Sequence, residues 1–365
     1  MRVLLSSRSC FRQFCRLYTS SKGLTYSEYG EPHDVLSLTV RKVDPLKEDE
    51  VLVKMLASPV HPADVNVVQG VYPVKSPPPA VGGNEGVGKV VECGRSVKSL
   101  KVDDLVVPIV LPAGTWQTFM TAKASSLYHI PYSLSALDAA IFATNPSTAY
   151  LMLRDLVKLH SGDIVIQNGA TSAVGVYAIQ IAKLLGFRTV NLFRPRKTAK
   201  ETEETRQSLL DFGATWAVTE PELTDKSGTI AKEIKDAGPA KLALNCLGGK
   251  PAVVLMRFLG KGGILVSYGG MTRNPMPVPV GPLIFKDISL RGFWRTGWSM
   301  RADRAKQEQV LDKLAEWFHR KALKPSPFTA IPLEDWRKAI EMSTFTNAEP
   351  TAIRKKAILV MNHSG

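Results

Sequence analysis

Two periods of apolar residues meet in residues 164–193 of this chain. Ile164, Val165 and Ile166 form an uninterrupted apolar run of the kind that fills a strand buried on both faces. A turn of small residues follows over 167–175. Val176, Ile179, Ala182 and Leu185 then recur at helical spacing, and Gly186 ends the predicted helix over 176–185. A second apolar strand spans 189–193. The pattern therefore predicts one strand–helix–strand unit of a doubly wound parallel sheet in an α/β fold. Downstream, 211–215 closes a helix and 216–219 reads as a third strand. Further strands over 242–246 and 264–268 run into the pairs Gly248-Gly249 and Gly269-Gly270. A long helix over 304–322 places Val310, Leu314, Trp317 and Phe318 on one face, and 357–361 forms a last strand. Residues 24–142 differ, with short strands such as 51–55 set between glycine- and proline-rich turns, the signature of a mostly-β lobe. No internal repeat or low-complexity tract interrupts the chain.

The turn over 167–175 suggests the chemistry. A pyrophosphate needs unobstructed backbone N–H groups at the positive end of a helix, so its turn carries residues with little side chain. Aligned on Gly175, the G-x-G-x-x-G pattern becomes Ala170-x-Ser172-x-x-Gly175, with two glycines replaced by other small residues. The turn alone also fits an ordinary connection in any doubly wound sheet. The second strand then ends in Arg194-Pro195-Arg196-Lys197, where an NAD site would place Asp or Glu for the ribose 2′-hydroxyl. That charge suits a 2′-phosphate, hence NADPH; the competing reading is a solvated basic loop. Ligands of such sheets bind beyond the strand ends, which places Tyr268, Gly269, Gly270 and Met271 against cofactor, while Gly248-Gly249 reads equally as an ordinary turn.

Composition narrows the class. A chain of 365 residues with 44% hydrophobic content can bury a two-domain core, and no apolar run reaches a membrane-spanning length. Net charge is +14, but residues 1–22 hold Arg2, Arg8, Arg12, Arg16 and Lys22, five serines and no acid, the composition of a mitochondrial transit peptide. Cleavage after Tyr18 would lower the charge from +14 to +10, since residues 1–18 carry four arginines and no acid. The remaining charge fits an acidic partner or cofactor steering. Nucleic-acid motifs are missing. Cys10 and Cys15 lie in the leader, leaving Cys93 and Cys246, too few for a disulfide framework.

At Gly82-Gly83-Asn84-Glu85-Gly86-Val87-Gly88 the chain resembles the medium-chain dehydrogenase/reductase superfamily, whose zinc members carry His where Asn84 stands. Zinc needs Cys, His or carboxylate ligands, and His33, His61, His129, His160, His319 and His363 are scattered, each read as a surface or packing residue. Within the superfamily, the segments 57–66, 69–72, 79–86, 145–150, 245–249, 268–271, 283–287 and 290–294 resemble the mitochondrial trans-2-enoyl-CoA reductase family. The resemblance extends over 25–361. It implies a transit peptide over 1–22, a GroES-like catalytic domain from 23–142 and 298–365, and a Rossmann NADP-binding domain over 143–297.

The same resemblance implies a homodimer in the mitochondrial matrix that reduces enoyl thioesters with NADPH, with acyl carrier protein as the acidic partner. Hydride at Cβ of an enoyl thioester leaves an enolate to be protonated at Cα. Tyr72 matches the family's proton donor; a phenol keeps its proton at neutral pH and can release it to carbon. Asn145 matches a contact near the nicotinamide, Thr171, Ser172, Ala173 and Val174 the pyrophosphate turn, and Arg194, Pro195 and Arg196 the 2′-phosphate grip. Phe293, Trp294, Arg295 and Thr296 match a further cofactor wall, with Trp294 beside the acyl chain, and Lys356 a carboxyl-terminal cofactor contact. Pro195 stands where some relatives carry an acid. Two alternatives stay open on the residues: an NADPH-dependent quinone reductase, which needs no donor at Cα, and an NADPH-binding protein whose task is to bind RNA or an acidic protein.

Overall fold

The computed structural model describes residues 20–225, 227–344 and 353–361. Six parallel strands form one sheet in the order Trp216–Thr219, Arg188–Phe193, Ile164–Gln167, Ala240–Asn245, Leu259–Ser267 and Ser289–Gly292. All four residues of Ile164–Gln167 are buried, as an apolar run covered on both faces requires. From this central strand the chain winds first one way, to Trp216–Thr219, and then the other, to Ser289–Gly292. The reversal opens a crevice between the ends of Ile164–Gln167 and Ala240–Asn245, where ligands of such sheets bind. Asn168 and Asn245 bridge that point, Asn168 Nδ2 donating to Asn245 Oδ1 at 2.9 Å.

The second lobe is mostly antiparallel. Its seven-stranded sheet runs Phe328–Pro332, Lys356–Val360, Glu50–Pro59, Val87–Cys93, Leu105–Pro108 and Leu127–His129, with Phe119–Lys123 also on Glu50–Pro59. Strands from the end of the chain complete it, as Ile358 pairs with Pro59 and Val360 with Ala57. A smaller sheet joins Ser37–Lys42, Ser20–Tyr26 and Ala80–Val81. One buried cluster, including Ala57, Val107, Phe142, Tyr177, Leu314, Phe318 and Ile358, spans both lobes and fixes them against each other.

Local chemistry moved several expected boundaries. The helix expected over 176–185 is Ala173–Leu184, because the Ser172 hydroxyl accepts from Gly175 N at 3.1 Å and caps the helix three residues earlier. The helix expected to reach 322 ends at His319, and Lys321 turns into the left-handed region at φ 56°. Residue 298, where the return to the catalytic lobe was expected, lies inside helix Arg295–Arg301; the chain rejoins the seven-stranded sheet at Phe328. Residues 1–19 of the expected transit peptide lie outside the described residues. Ser20, Ser21 and Lys22 instead pair with Lys42, Arg41 and Val40, so the folded lobe begins before residue 23. His363 is also outside the described residues.

Candidate active site

A cleft of about 1320 Å³ is lined by residues of both lobes. Its floor is the turn after Ile164–Gln167. Gly169 makes the tight bend, at φ +65°, one residue before the position expected from the aligned motif. Ser172 caps the following helix. Gly175 lies in its first turn, where a Cβ would come within 2.7 Å of the Ala170 and Gly169 carbonyl oxygens. Ala170 and Ser172 can therefore replace glycines of the motif, whereas the backbone passes too close at Gly175. Helix Ala173–Leu184 presents its free N–H groups and positive end to the cleft, as a pyrophosphate requires.

Arg194, Pro195 and Arg196 border the cleft where Arg188–Phe193 ends. Arg196 is held rather than loose: its Nε donates to Thr205 Oγ1 at 3.1 Å, its backbone N–H to Thr202 Oγ1 at 2.9 Å, and its guanidinium lies 6.0 Å from the Phe193 ring centre. Burial, and then the neighbouring Arg194 charge, pull the Arg196 guanidinium below its ordinary range. Two forked donors at a strand end, with no carboxylate in the place an NAD site needs one, fit a 2′-phosphate.

Across the cleft, Tyr72 finds partners that its proline-rich loop did not reveal. Trp294 Nε1 donates to the Tyr72 hydroxyl at 2.7 Å, and Thr296 Oγ1 lies 3.3 Å from it. The two rings meet edge to face with centres 6.1 Å apart. Arg295, between those partners in sequence, is half-buried and donates from Nε to Ser147 Oγ at 3.3 Å; desolvation pulls its guanidinium down, against the charges of Glu85 and Tyr72. Asn145 opens helix Asn145–Arg154 and is buried at the cleft wall. Thr171, Ala173, Val174, Phe293, Tyr268, Gly269, Met271 and Lys356 also border the cleft.

Gly270 does not. It sits exposed on the outside of a turn, its carbonyl accepting from Arg273 N at 2.9 Å, while Met271 N and Thr272 N bond inward to Cys246 and Leu247. The Tyr268 hydroxyl is buried beside Cys246 and Ser172 without a well-formed hydrogen bond; burial pushes both the phenol and the Cys246 thiol up, so each keeps its proton.

His61 is the packing case of that expectation: it is buried, and its Nε2 lies 2.5 Å from Glu85 Oε2 while its Nδ1 lies 2.7 Å from Lys356 Nζ. Glu85 and Arg354 also line the cleft and were not singled out from the sequence. Their signals were present: Glu85 follows Asn84 in the glycine-rich motif, and Arg354 opens the basic run ending at Lys356. Asn84 is engaged elsewhere, donating to Asp64 Oδ1 at 2.9 Å and accepting from Ala113 N at 3.3 Å. Among the described residues no group of three His, Cys, Asp or Glu side chains is placed to hold a metal ion.

Residues 47–132 match the alcohol dehydrogenase GroES-like domain and 173–316 the zinc-binding dehydrogenase family. The mitochondrial enoyl-acyl-carrier-protein reductase of Caenorhabditis elegans is 42% identical over 93% of this chain and 96% of its own length. The chain belongs to the mitochondrial enoyl-acyl-carrier-protein reductase family. Among solved structures, a complex described as Etr1p with NADP and crotonyl-CoA superposes on this family member with a TM-score of 0.86, at 33% identity, over 94% of this chain and 100% of the other. The Etr1p/Etr2p heterodimer, a mitochondrial 2-enoyl thioester reductase from Candida tropicalis, gives 0.85 at 33% identity over 94% and 100%.

Proposed function

We propose that this chain reduces the 2,3-double bond of trans-2-enoyl thioesters, on coenzyme A or acyl carrier protein, to saturated acyl thioesters in mitochondrial fatty-acid synthesis, with NADPH as reductant. One observation carries the reading: a tyrosine hydroxyl, held by an indole N–H, borders the same cleft as a pyrophosphate turn and an arginine pair. NADPH, when bound, supplies a hydride to the substrate's Cβ. Thr171 to Val174 would hold its pyrophosphate, Arg194 and Arg196 its 2′-phosphate, and Asn145 its carboxamide.

The side chains supply the proton. Trp294 Nε1 donates to the Tyr72 oxygen, so the phenolic hydrogen is free to point to another acceptor, Thr296 Oγ1 at rest or Cα of the substrate. As the proton leaves, the oxygen gains negative charge. The indole N–H and the half-buried Arg295 cation are already in place to stabilise it, without reorganisation at the moment of transfer. A quinone reductase needs no such donor. NADPH oxidation measured in parallel with a trans-2-enoyl-CoA and with a quinone tests the reading: enoyl-dependent turnover supports it, and turnover with quinone alone overturns it.

The working unit we propose is a homodimer. Strand Ser289–Gly292 is the last of its sheet, and beside it helix Val280–Lys286 buries none of its residues, leaving Val280, Ile284, Phe285 and Leu290 exposed. Acyl carrier protein is the acidic partner that the chain's positive charge would attract, with a positive patch around the acyl entrance. Reversing charge there should raise KM for carrier-bound substrate only; equal effects on coenzyme A substrates would assign the patch another purpose.

A further inference from the structure

We infer that His61 and Glu85 are positioning residues for Lys356, forming a buried relay that aims its ammonium into the cleft and keeps it charged toward the anionic dinucleotide. The inference rests on the reading of the cleft as an NADPH site. It deepens that reading by assigning to two residues of the cleft wall work that they do through Lys356.

Hydrogen-bond logic fixes the states of the relay. An ammonium has three donors and no acceptor, so the 2.7 Å contact makes His61 Nδ1 the acceptor and Lys356 Nζ the donor. The imidazole is then neutral, with its hydrogen on Nε2, which donates to Glu85 Oε2 at 2.5 Å. The other Glu85 oxygen accepts from Thr144 N at 2.6 Å, so the carboxylate cannot turn away. His61 is fixed from behind as well: its backbone N–H donates to Asp64 Oδ2 at 2.9 Å, and Asp64 Oδ1 accepts from Asn84. Four separate parts of the chain thus meet in the relay. His61 caps helix Pro62–Val68, Glu85 follows Ala80–Val81, Thr144 precedes Asn145–Arg154, and Lys356 opens the strand Lys356–Val360.

Such an arrangement is a poor way to fill a core. Taking charges out of water is costly, and apolar residues of similar volume often serve stability better. The relay makes sense if the ammonium itself is needed at the cleft. Burial pulls Lys356 down to about 8, Glu85 and Asp64 push it back up, and Arg354 lowers it. Its charge at neutral pH is therefore held by the neighbouring carboxylates. The ammonium is present below about 8 and lost as pH rises through that value, while Arg194 and Arg196 stay charged.

The test is the dissociation constant of NADPH, followed by nucleotide fluorescence between about pH 6.5 and 9.5. It uses the wild-type chain and the variants Glu85→Gln, His61→Leu, His61→Asn and Lys356→Met. Wild-type affinity should fall roughly tenfold as pH passes 8. Glu85→Gln should move that fall to lower pH, and Lys356→Met should bind weakly with no fall. His61→Leu should weaken binding roughly tenfold at neutral pH, and His61→Asn, whose amide oxygen can replace Nδ1 as acceptor, should recover part of the loss. A wild-type affinity that is flat through pH 8 overturns the relay without any variant. So does a Glu85→Gln curve that coincides with the wild-type curve. If the wild-type chain binds no NADPH, the reading of the cleft falls and the relay with it; binding that ignores all four substitutions sinks the relay alone.

Discussion

Trp294 Nε1 donates to the hydroxyl of Tyr72 at 2.7 Å, across 222 positions of sequence, and this contact joins the two lobes at the reacting end of the cleft. It separates two roles that substitution can resolve. Tyr72→Phe removes the proton itself and should lower kcat with trans-2-enoyl-CoA roughly a hundred- to ten-thousandfold, the usual span for general acid catalysis. NADPH affinity should hardly change. Trp294→Phe removes only one donor to the developing phenolate, and about tenfold in kcat is expected. Steady-state NADPH oxidation with parallel nucleotide titration checks both, and an unimpaired Tyr72→Phe enzyme would remove Tyr72 from the chemistry.

Cofactor choice should reside at the end of strand Arg188–Phe193. Arg196→Ala, or Arg194→Ala, should raise KM for NADPH by roughly ten- to a hundredfold while leaving NADH nearly untouched, since a charge-assisted contact to phosphate is worth about 1.5–3 kcal/mol. Thr205→Val, which removes the hydroxyl that orients Arg196 Nε, should give a smaller loss in the same direction. Kinetics with both nucleotides decide it; equal losses for NADPH and NADH would place the arginines outside the 2′-phosphate site.

Gly175→Ala tests the close approach in the phosphate turn. The new Cβ would lie 2.7 Å from two backbone oxygens, those of Ala170 and Gly169, and neither can move without shifting the turn. A loss of about 1–3 kcal/mol is expected, with weakened NADPH binding. Thermal denaturation with and without nucleotide reads both effects, and an alanine variant as stable as wild type would mean the turn relaxes freely.

The first folded residues can be located by trimming. Ser21 Oγ donates to the Phe119 carbonyl at 2.8 Å and accepts from Phe119 N at 3.0 Å, while Lys22 N donates to Thr118 Oγ1 at 3.0 Å. A chain beginning at Ser20 should keep full stability. One beginning at Gly23 should lose roughly 3 kcal/mol, about 1 kcal/mol for each of these three half-buried hydrogen bonds. Equal melting temperatures for the two chains would show that the strand pairing of Ser20 to Lys22 is dispensable.

The fold was legible where burial leaves a local signature. Ile164 to Ile166 had to be apolar because helices cover both faces of their strand, and Val310, Leu314 and Phe318 recur because one side of their helix packs inward. Element ends were less legible, since they depend on single hydrogen bonds such as Ser172 to Gly175. The motif alignment placed the tight turn at Ala170 because sequence alone does not reveal which residue adopts a positive φ; Gly169 does. His61 and Lys356 were beyond any local pattern. Their contact spans 295 positions and exists only because the end of the chain returns to the first lobe's sheet, so a histidine that looks isolated in sequence becomes part of the cleft wall. The resemblance supplied Tyr72 and Lys356 as site residues but not the partners that hold them.

Association is the last property that one substitution can test. Strand Ser289–Gly292 hydrogen-bonds to Leu259–Ser267 on one side, and among the described residues nothing pairs with its other edge. Phe285, on the preceding helix, is 82% exposed, and Val280, Ile284 and Leu290 are exposed in the same stretch of chain. In a twofold dimer the two edges would meet and the two Phe285 rings would be covered. Phe285→Glu puts two like charges into that contact and should convert the dimer to monomer at micromolar concentration, with the NADPH cleft intact. Sedimentation of the wild type and the variant gives the answer: a wild type that is monomeric, or a variant that stays dimeric, would place the interface elsewhere or remove it.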